Sequence, residues 1–121
     1  MNRKCYWDKS FMLGHAKLMV LAVLRDKPLH GYGIIKEIKS RSNNCCSITV
    51  GTIYPVLKTL ESEGLIKSEK VLEEGRERIA YKITPKGRKV LAEGLKRWIE
   101  FNEGAKKILI TNTEQATSWN P

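Results

Sequence analysis

Apolar residues at helical spacing mark four segments of the chain, and one further stretch alternates with a period of two. Residues 12–25 are mostly apolar and predict a first helix that ends before Pro28. A second helix is predicted to begin near His30, with isoleucines on its inner side and basic residues on its outer side. The cluster "SRSNNCCS" then interrupts the pattern, as a Ser/Asn-rich loop does.

The third predicted helix covers residues 50–63 and contains a proline. Thr49 is placed as its N-cap, and Gly64 ends it as a C-cap glycine does. Pro55 lies on the outward face, where its missing N–H deprives only the carbonyl of Gly51 of a helical donor. Such a departure from helix rules is expected on a surface that function constrains, although a tolerated proline without a direct role is the alternative. The buried face is predicted to contain Val50, Ile53, Leu57 and Leu60.

A charged hairpin follows, in which residues 66–72 and 79–83 form the strands and "EEGR" forms the turn. Thr84 and Pro85 open a last helix that runs to about residue 109. This order predicts a mainly α fold with a two-stranded β-hairpin: a winged helix-turn-helix followed by a long C-terminal dimerisation helix. The predicted organisation is a DNA-binding domain over 1–84, the dimerisation helix over 85–110 and a disordered tail over 111–121.

Charge and cysteine content narrow the function classes. The 121 residues have a net charge of +9, which favours a polyanionic partner, nucleic acid before membrane. Neither an export signal nor a membrane-spanning stretch is recognisable, so a cytoplasmic protein is expected. Cys5, Cys45 and Cys46 form neither a disulfide framework nor a metal-ligand spacing, and His15 and His30 complete none. Reduced thiols are expected, with redox sensing by the adjacent pair as the alternative.

The predicted third helix is not basic as a whole, since residues 49–64 contain one basic and two acidic residues. The acidic residues lie in its last turn, whereas groove-reading helices contact bases mainly through their N-terminal residues. Its free N–H groups attract phosphate, and the second helix and the hairpin are expected to supply further phosphate contacts. The outward positions of the front half are Thr49, Gly51, Thr52, Tyr54, Pro55 and Lys58.

Three ordered motifs resemble the PadR family of winged-helix transcriptional regulators: "HGYGIIKEI", "TVGTIYPVLKTLESEGLI" and "GRERIAYKITPKG". The similarity covers about residues 11–110 and fits the short members with one C-terminal helix. It implies a dimeric, operator-binding regulator, usually a repressor. The lead-in "NNCCSIT" departs from the family pattern. The motifs place Tyr32, Gly33, Thr52, Tyr54, Lys58, Gly75, Arg76 and Arg78 at DNA, and Lys36, Thr49, Gly51 and Pro55 complete the predicted surface.

The last helix independently predicts a homodimer. Six of its residues are spaced alternately four and three apart, the a/d seam of paired helices. Packing of this seam within the chain, on the first helix, is the alternative. Trp98 lies in the seam, and the resemblance implies that an aromatic residue there can stack on a planar aromatic effector; an ordinary interface anchor is equally compatible. The seam comprises Leu91, Leu95, Trp98, Asn102, Ala105 and Leu109.

Two other function classes are alternatives to DNA binding. A winged helix that acts as a protein-interaction module, with incidental basic charge, would bind DNA only weakly and without sequence preference. An enzyme is not expected, because the sequence contains no recognisable nucleophile–base pair, metal cluster or phosphate-binding loop, and no cofactor is implied.

Overall fold

The elements follow the predicted order, with one additional strand. A computed structural model describes residues 15–111. Residues 12–14 of the predicted first helix, Cys5 and residues 112–121 of the predicted tail lie outside the described residues. The elements are α1 (Ala16–Leu24), β1 (Leu29–His30), α2 (Gly31–Arg41), α3 (Val50–Ser62), β2 (Ile66–Glu73), β3 (Arg76–Ile83) and α4 (Pro85–Leu109).

The sheet has three antiparallel strands in the order β1-β3-β2, so the prediction of a two-stranded hairpin was wrong by one strand. In the additional pairing, Leu29 lies opposite Tyr81 and His30 lies opposite Ala80. Two residues are too few to show a period of two, and their partners are about fifty positions away in the chain. Local pattern therefore could not reveal this strand, which extends the sheet on the side of β3 away from β2.

The hydrophobic core joins the helices to one face of the sheet. On α3, the predicted inward residues Ile53, Leu57 and Leu60 are fully buried. Val50, which was predicted to share that face, is 55% exposed, because it is the first helical residue and lies beyond the edge of the core. Other buried contributors come from α1, α2, the sheet and the start of α4: Val20, Leu24, Ile34, Ile38, Ile66, Ile83 and Leu91.

The chain separates into two units, the first ending at Leu91 and the second beginning at Ala92. Leu91 is buried in the core of the first unit. The second unit contains the remainder of α4.

The end of α3 is joined to the beginning of α4 by hydrogen bonds. The predicted C-cap is confirmed: Gly64 has φ +77°, and the N–H of Leu65 donates to the carbonyl of Leu60 at 2.9 Å, as in a Schellman motif. The Thr84 hydroxyl donates to the carbonyl of Gly64 at 2.7 Å. It also accepts the N–H of Gly87 at 3.0 Å, which confirms Thr84 as the cap of α4.

The loop after α2 is closed by a second Schellman motif, with asparagine in place of glycine. Asn43 and Asn44 have φ values of +52° and +66°, a region that asparagine tolerates better than most residues. The N–H of Asn44 donates to the carbonyl of Lys39 at 2.9 Å. The Ser/Asn-rich composition predicted a loop here; this geometry explains why two asparagines are suitable in it.

Candidate nucleic-acid interface

The exposed face of α3 contains the residues that the sequence placed there. Tyr54, Pro55 and Lys58 are exposed, as are Thr49 and Gly51, whereas Thr52 is half-buried. The buried residues of α3 lie on the opposite side and hold this face outward. Lys58 is the only charged side chain of the front half, so the face is nearly neutral and is formed largely by small, hydroxyl and aromatic groups.

The first turn of α3 receives no cap from a side chain. Thr49 occupies the N-cap position with extended backbone, but its hydroxyl donates to the Thr52 hydroxyl at 3.2 Å rather than accepting a backbone N–H. The prediction of Thr49 as N-cap is therefore confirmed in position, without a hydrogen bond from its side chain to the helix. A helix N-terminus without such a bond retains donors that attract an anion.

Tyr54 packs against the start of α2. A Cβ placed on Gly31 would lie 2.6 Å from the Tyr54 hydroxyl oxygen, so only glycine admits the ring in this position. Burial, followed by the influence of Tyr54 and Glu61, raises the pKa of the neighbouring Tyr81 phenol. The sequence motif "HGY" contains Gly31, but it does not indicate that Tyr54 of α3 lies against this glycine.

The start of α2 presents a second part of the predicted surface. Tyr32 is 66% exposed and Lys36, four residues later, is exposed on the same side of the helix. Gly33 is half-buried, and a Cβ on it would meet Leu29 at an ordinary contact distance of 3.5 Å. Tyr32 and Lys36 are therefore available to a ligand, whereas Gly33 lies against its own chain.

The wing consists of β2, β3 and their connecting turn. Glu74 and Gly75 have φ values of +51° and +75°, the two positive values of a type I′ hairpin. Arg76 lies opposite Glu73, and Arg78 lies opposite Val71. Since residues two apart share a face, both arginines project from one side of the wing. They are exposed, together with the acidic turn beside them.

His30 connects the entrance of α2 to the wing. Its Nε2 lies 2.9 Å from the Glu73 carboxylate, and its Nδ1 lies 3.2 Å from the carbonyl of Ile79. The sequence offered no metal-ligand spacing for His30, and nothing in it indicated Glu73 as the partner of this side chain. The pair orients the face of the wing that contains the two arginines.

The opposite face of the wing has an apolar character that the sequence analysis did not single out. Leu72 is 77% exposed and Ile79 is 49% exposed. Leu72 lies opposite Glu77 and Ile79 lies opposite Lys70, so both side chains project away from the face of the arginines. The alternation of residues along the two strands of the hairpin could have indicated this apolar face.

The helix of the second unit has exposed apolar side chains among its charged residues. Trp98 is 39% exposed, and the side-chain amide of Asn102 donates to its backbone carbonyl at 2.8 Å. Asn102 and Ala105 are half-buried. Because Leu91 is buried in the first unit, the accessible part of the predicted seam begins at Leu95. The large exposed apolar side chains here are Leu95, Trp98, Ile99, Phe101, Ile108 and Leu109.

The described residues provide neither a metal-binding cluster nor a membrane-spanning helix. Between residues 15 and 111, no three His, Cys, Asp or Glu side chains converge closely enough to hold a metal ion. Within the same range, none of the helices combines the length and apolar character that crossing a bilayer requires.

Comparison with known proteins gives a consistent result. The profile of the family described as Transcriptional regulator PadR-like matches residues 20–93. Transcriptional regulator Rv3488 of Mycobacterium tuberculosis is 34% identical over 85 residues, which make up 70% of this chain and 77% of that protein.

Solved structures agree in both fold and sequence. A PadR family transcriptional regulator from Eggerthella lenta is 33% identical, with a TM-score of 0.73, and the match covers 85% of this chain and 88% of that one. PadR of Bacillus subtilis, solved in complex with operator DNA, is 31% identical with a TM-score of 0.61. That match covers 66% of this chain and 46% of the PadR chain.

Proposed function

Because the chain belongs to the PadR-like family of transcriptional regulators, we propose that it is a repressor that binds a palindromic operator as a homodimer. The family and its structural neighbours are regulators rather than enzymes, so the surfaces described above are to be understood as binding surfaces. The operator complex of Bacillus subtilis PadR supports DNA as the ligand.

The observation that carries the proposal is the exposed, nearly neutral front of α3, with exposed basic side chains on α2 and on the wing. Tyr54 and Lys58 project from a helix whose first turn has no side-chain cap. Phosphate contacts from Lys36 and from the arginines of the wing would position this helix, while its own side chains contact base edges. Thr52, which is half-buried, would act at the edge of that surface.

A two-fold dimer through the second unit is the second part of the proposal. The exposed apolar side chains of α4 exceed what a helix leaves open to water without a partner. The predicted seam, whose residues are spaced alternately four and three apart, fits a helix pair. Such a dimer would present two copies of α3 to half-sites about one DNA turn apart.

Binding of an aromatic effector is the third part of the proposal. The Trp98 ring is partly accessible within the predicted seam, and its large face suits stacking on a planar aromatic molecule. Binding there would link the geometry of the dimer to the separation of the two copies of α3.

Selection from a randomised duplex pool tests DNA binding and symmetry together. We expect enrichment of a palindrome with half-sites about one helical turn apart. The winning sequence, placed between a promoter and a reporter gene, should lower expression when the protein is present. Binding without an enriched motif, which fades as salt rises, would contradict the proposal and favour the protein-interaction module.

A further inference from the structure

Two free cysteines are adjacent in the loop that leads into α3. Cys45 is exposed and Cys46 is half-buried. The two residues are neighbours in the chain and neither thiol is fully buried, so one small ligand can reach both. The DNA-binding surface proposed above uses neither of them.

The backbone around this thiol pair is held in place by α2. The N–H of Cys46 donates to the Ser42 hydroxyl at 2.9 Å, and that hydroxyl donates to the carbonyl of Ile38 at 2.8 Å. The two positive φ values of Asn43 and Asn44 complete a compact turn. The backbone that carries both thiols is therefore ordered before any ligand arrives, which reduces the entropic cost of binding through both.

A direct disulfide does not suit this pair. Neighbouring Cα atoms are about 3.8 Å apart across a trans peptide, whereas disulfides span about 4.4–6.8 Å between Cα atoms. A third atom between the sulfurs removes that conflict, because it lengthens the bridge. Zinc needs about four ligands, and no third ligating side chain converges here among residues 15–111.

We propose that Cys45 and Cys46 form a dithiol site that captures monosubstituted trivalent arsenicals. Arsenic in such compounds keeps one bond to carbon and has two valences left, which matches two thiols without a further protein ligand. Its bond angles, close to a right angle, allow one arsenic atom to bridge the sulfur atoms of two neighbouring residues. The soft thiolate ligand prefers a soft, polarisable centre of this kind.

The chemistry balances without a redox partner. With phenylarsine oxide, both S–H bonds break, two As–S bonds form, and the arsenic oxygen leaves as water with both protons. Arsenic stays trivalent throughout, so the step requires neither an oxidant nor a reductant.

Arsenical binding at this site would disturb the proposed DNA-binding surface. This consequence rests on the proposed function. Cys46 packs against the core, Ile48 is 4% exposed and Thr49 is the N-cap of α3. Drawing the Cys46 sulfur outward to share an arsenic atom with Cys45 would displace Ile48 and the first turn of α3. Operator affinity would then fall.

The test uses the full chain with Cys5→Ser, so that only the thiol pair remains, and phenylarsine oxide as the probe. Intact mass should show one phenylarsenic group per chain, retained in excess glutathione and removed by 2,3-dimercaptopropanol. The matched variants Cys45→Ser and Cys46→Ser, in the same background, should lose the group to glutathione at least tenfold faster. Because Cys45 is exposed, its variant is expected to keep the fold even if Cys46→Ser does not.

If glutathione removes the phenylarsenic group equally fast from the protein with both thiols and from Cys45→Ser, the dithiol site is overturned. Operator binding is measured separately, on the selected sequence, and should weaken at least tenfold on capture while the treated Cys45→Ser protein is unchanged. Capture without weaker binding would overturn the connection to α3. If the untreated protein selects no operator, the proposed function fails, yet the mass measurement still decides the arsenical site.

Discussion

The Tyr54 phenol lies so close to the backbone of Gly31 that a methyl group at residue 31 would approach its oxygen to 2.6 Å and its Cε1 to 3.0 Å. This contact joins the first residue of α2 to the exposed face of α3. Tyr54 is 47% exposed, so DNA can contact only the part of the ring that Gly31 leaves uncovered. The glycine therefore sets the orientation of a residue on the proposed DNA-binding surface.

Gly31→Ala should change stability in opposite directions depending on residue 54. With Tyr54 present, overpacking should cost about 1 kcal/mol or more of unfolding free energy. In a Tyr54→Ala background the space is open, and alanine should stabilise the helix by up to about 1 kcal/mol relative to glycine. Denaturant unfolding of the four proteins forms a double-mutant cycle. Effects of the same sign in both backgrounds would show that the contact does not constrain residue 31.

Gly87 provides a second steric prediction with a control in the same helix. A Cβ at residue 87 would clash with the backbone carbonyl of Leu65 and come within 2.8 Å of Ile83 Cγ1. Since backbone cannot move aside cheaply, Gly87→Ala should cost about 3 kcal/mol, in the range of severe core overpacking. Gly104 has nothing within 4 Å, so Gly104→Ala should stabilise by about 0.5–1 kcal/mol. Similar unfolding midpoints for the two variants would refute the steric explanation for glycine at residue 87.

Local sequence signals predicted the elements well and the contacts between them poorly. Gly64 and Thr84 were identifiable because caps depend on neighbouring residues, and both act as predicted. The strand at Leu29–His30 was missed because it pairs with β3, far away in the chain. Val50 fits the helical period but lies past the edge of the core, and a periodic pattern carries no information about where the core ends.

In the candidate site, too, features within one element were predictable and contacts between elements were not. The helical period of α3 indicated its outward face, whereas the family resemblance indicated the residues of α2 and the wing, of which Tyr32, Arg76 and Arg78 are exposed and Gly33 is half-buried. Neither signal indicated that Tyr54 rests on Gly31 or that His30 contacts Glu73, since these pairs join different elements. Likewise, Leu91 was assigned to the dimer seam from its spacing alone, whereas it is buried in the core of the first unit.

The arginines of the wing should contribute to DNA affinity without changing sequence preference. Arg76→Ala and Arg78→Ala should each weaken binding to all duplexes alike and reduce the slope of log affinity against log salt by about 1. Lys17→Ala is the control, because Lys17 lies beside Glu63 at the far end of α3, 3.6 Å from its carboxylate. Fluorescence anisotropy at four salt concentrations gives the slopes. An unchanged slope for both arginine variants would place the wing away from phosphate.

The thiol pair should react unevenly with iodoacetamide. Burial, followed by the neighbouring Cys45, raises the pKa of the Cys46 thiol, so less of it is thiolate at neutral pH. In the Cys5→Ser protein, Cys45 should be alkylated first, and the rate at Cys46 should rise only at a pH above the ordinary cysteine range. Peptide mapping after timed quenching separates the two rates. Under denaturant the difference should vanish; if it persists there, folding is not its cause.

A charge placed in the predicted seam should separate dimers without unfolding the chain. Leu95 is 42% exposed, so Leu95→Glu leaves the core of one chain intact but would bury a carboxylate between two. We expect the dimer dissociation constant to rise at least about tenfold, which corresponds to roughly 1.4 kcal/mol. Lys96→Glu adds the same side chain at the next position, outside the seam, and should leave the dimer intact. Sedimentation equilibrium measures both variants, and circular dichroism checks their helix content. If both variants dissociate equally, net charge rather than the seam controls assembly; if neither does, the copies meet through another surface.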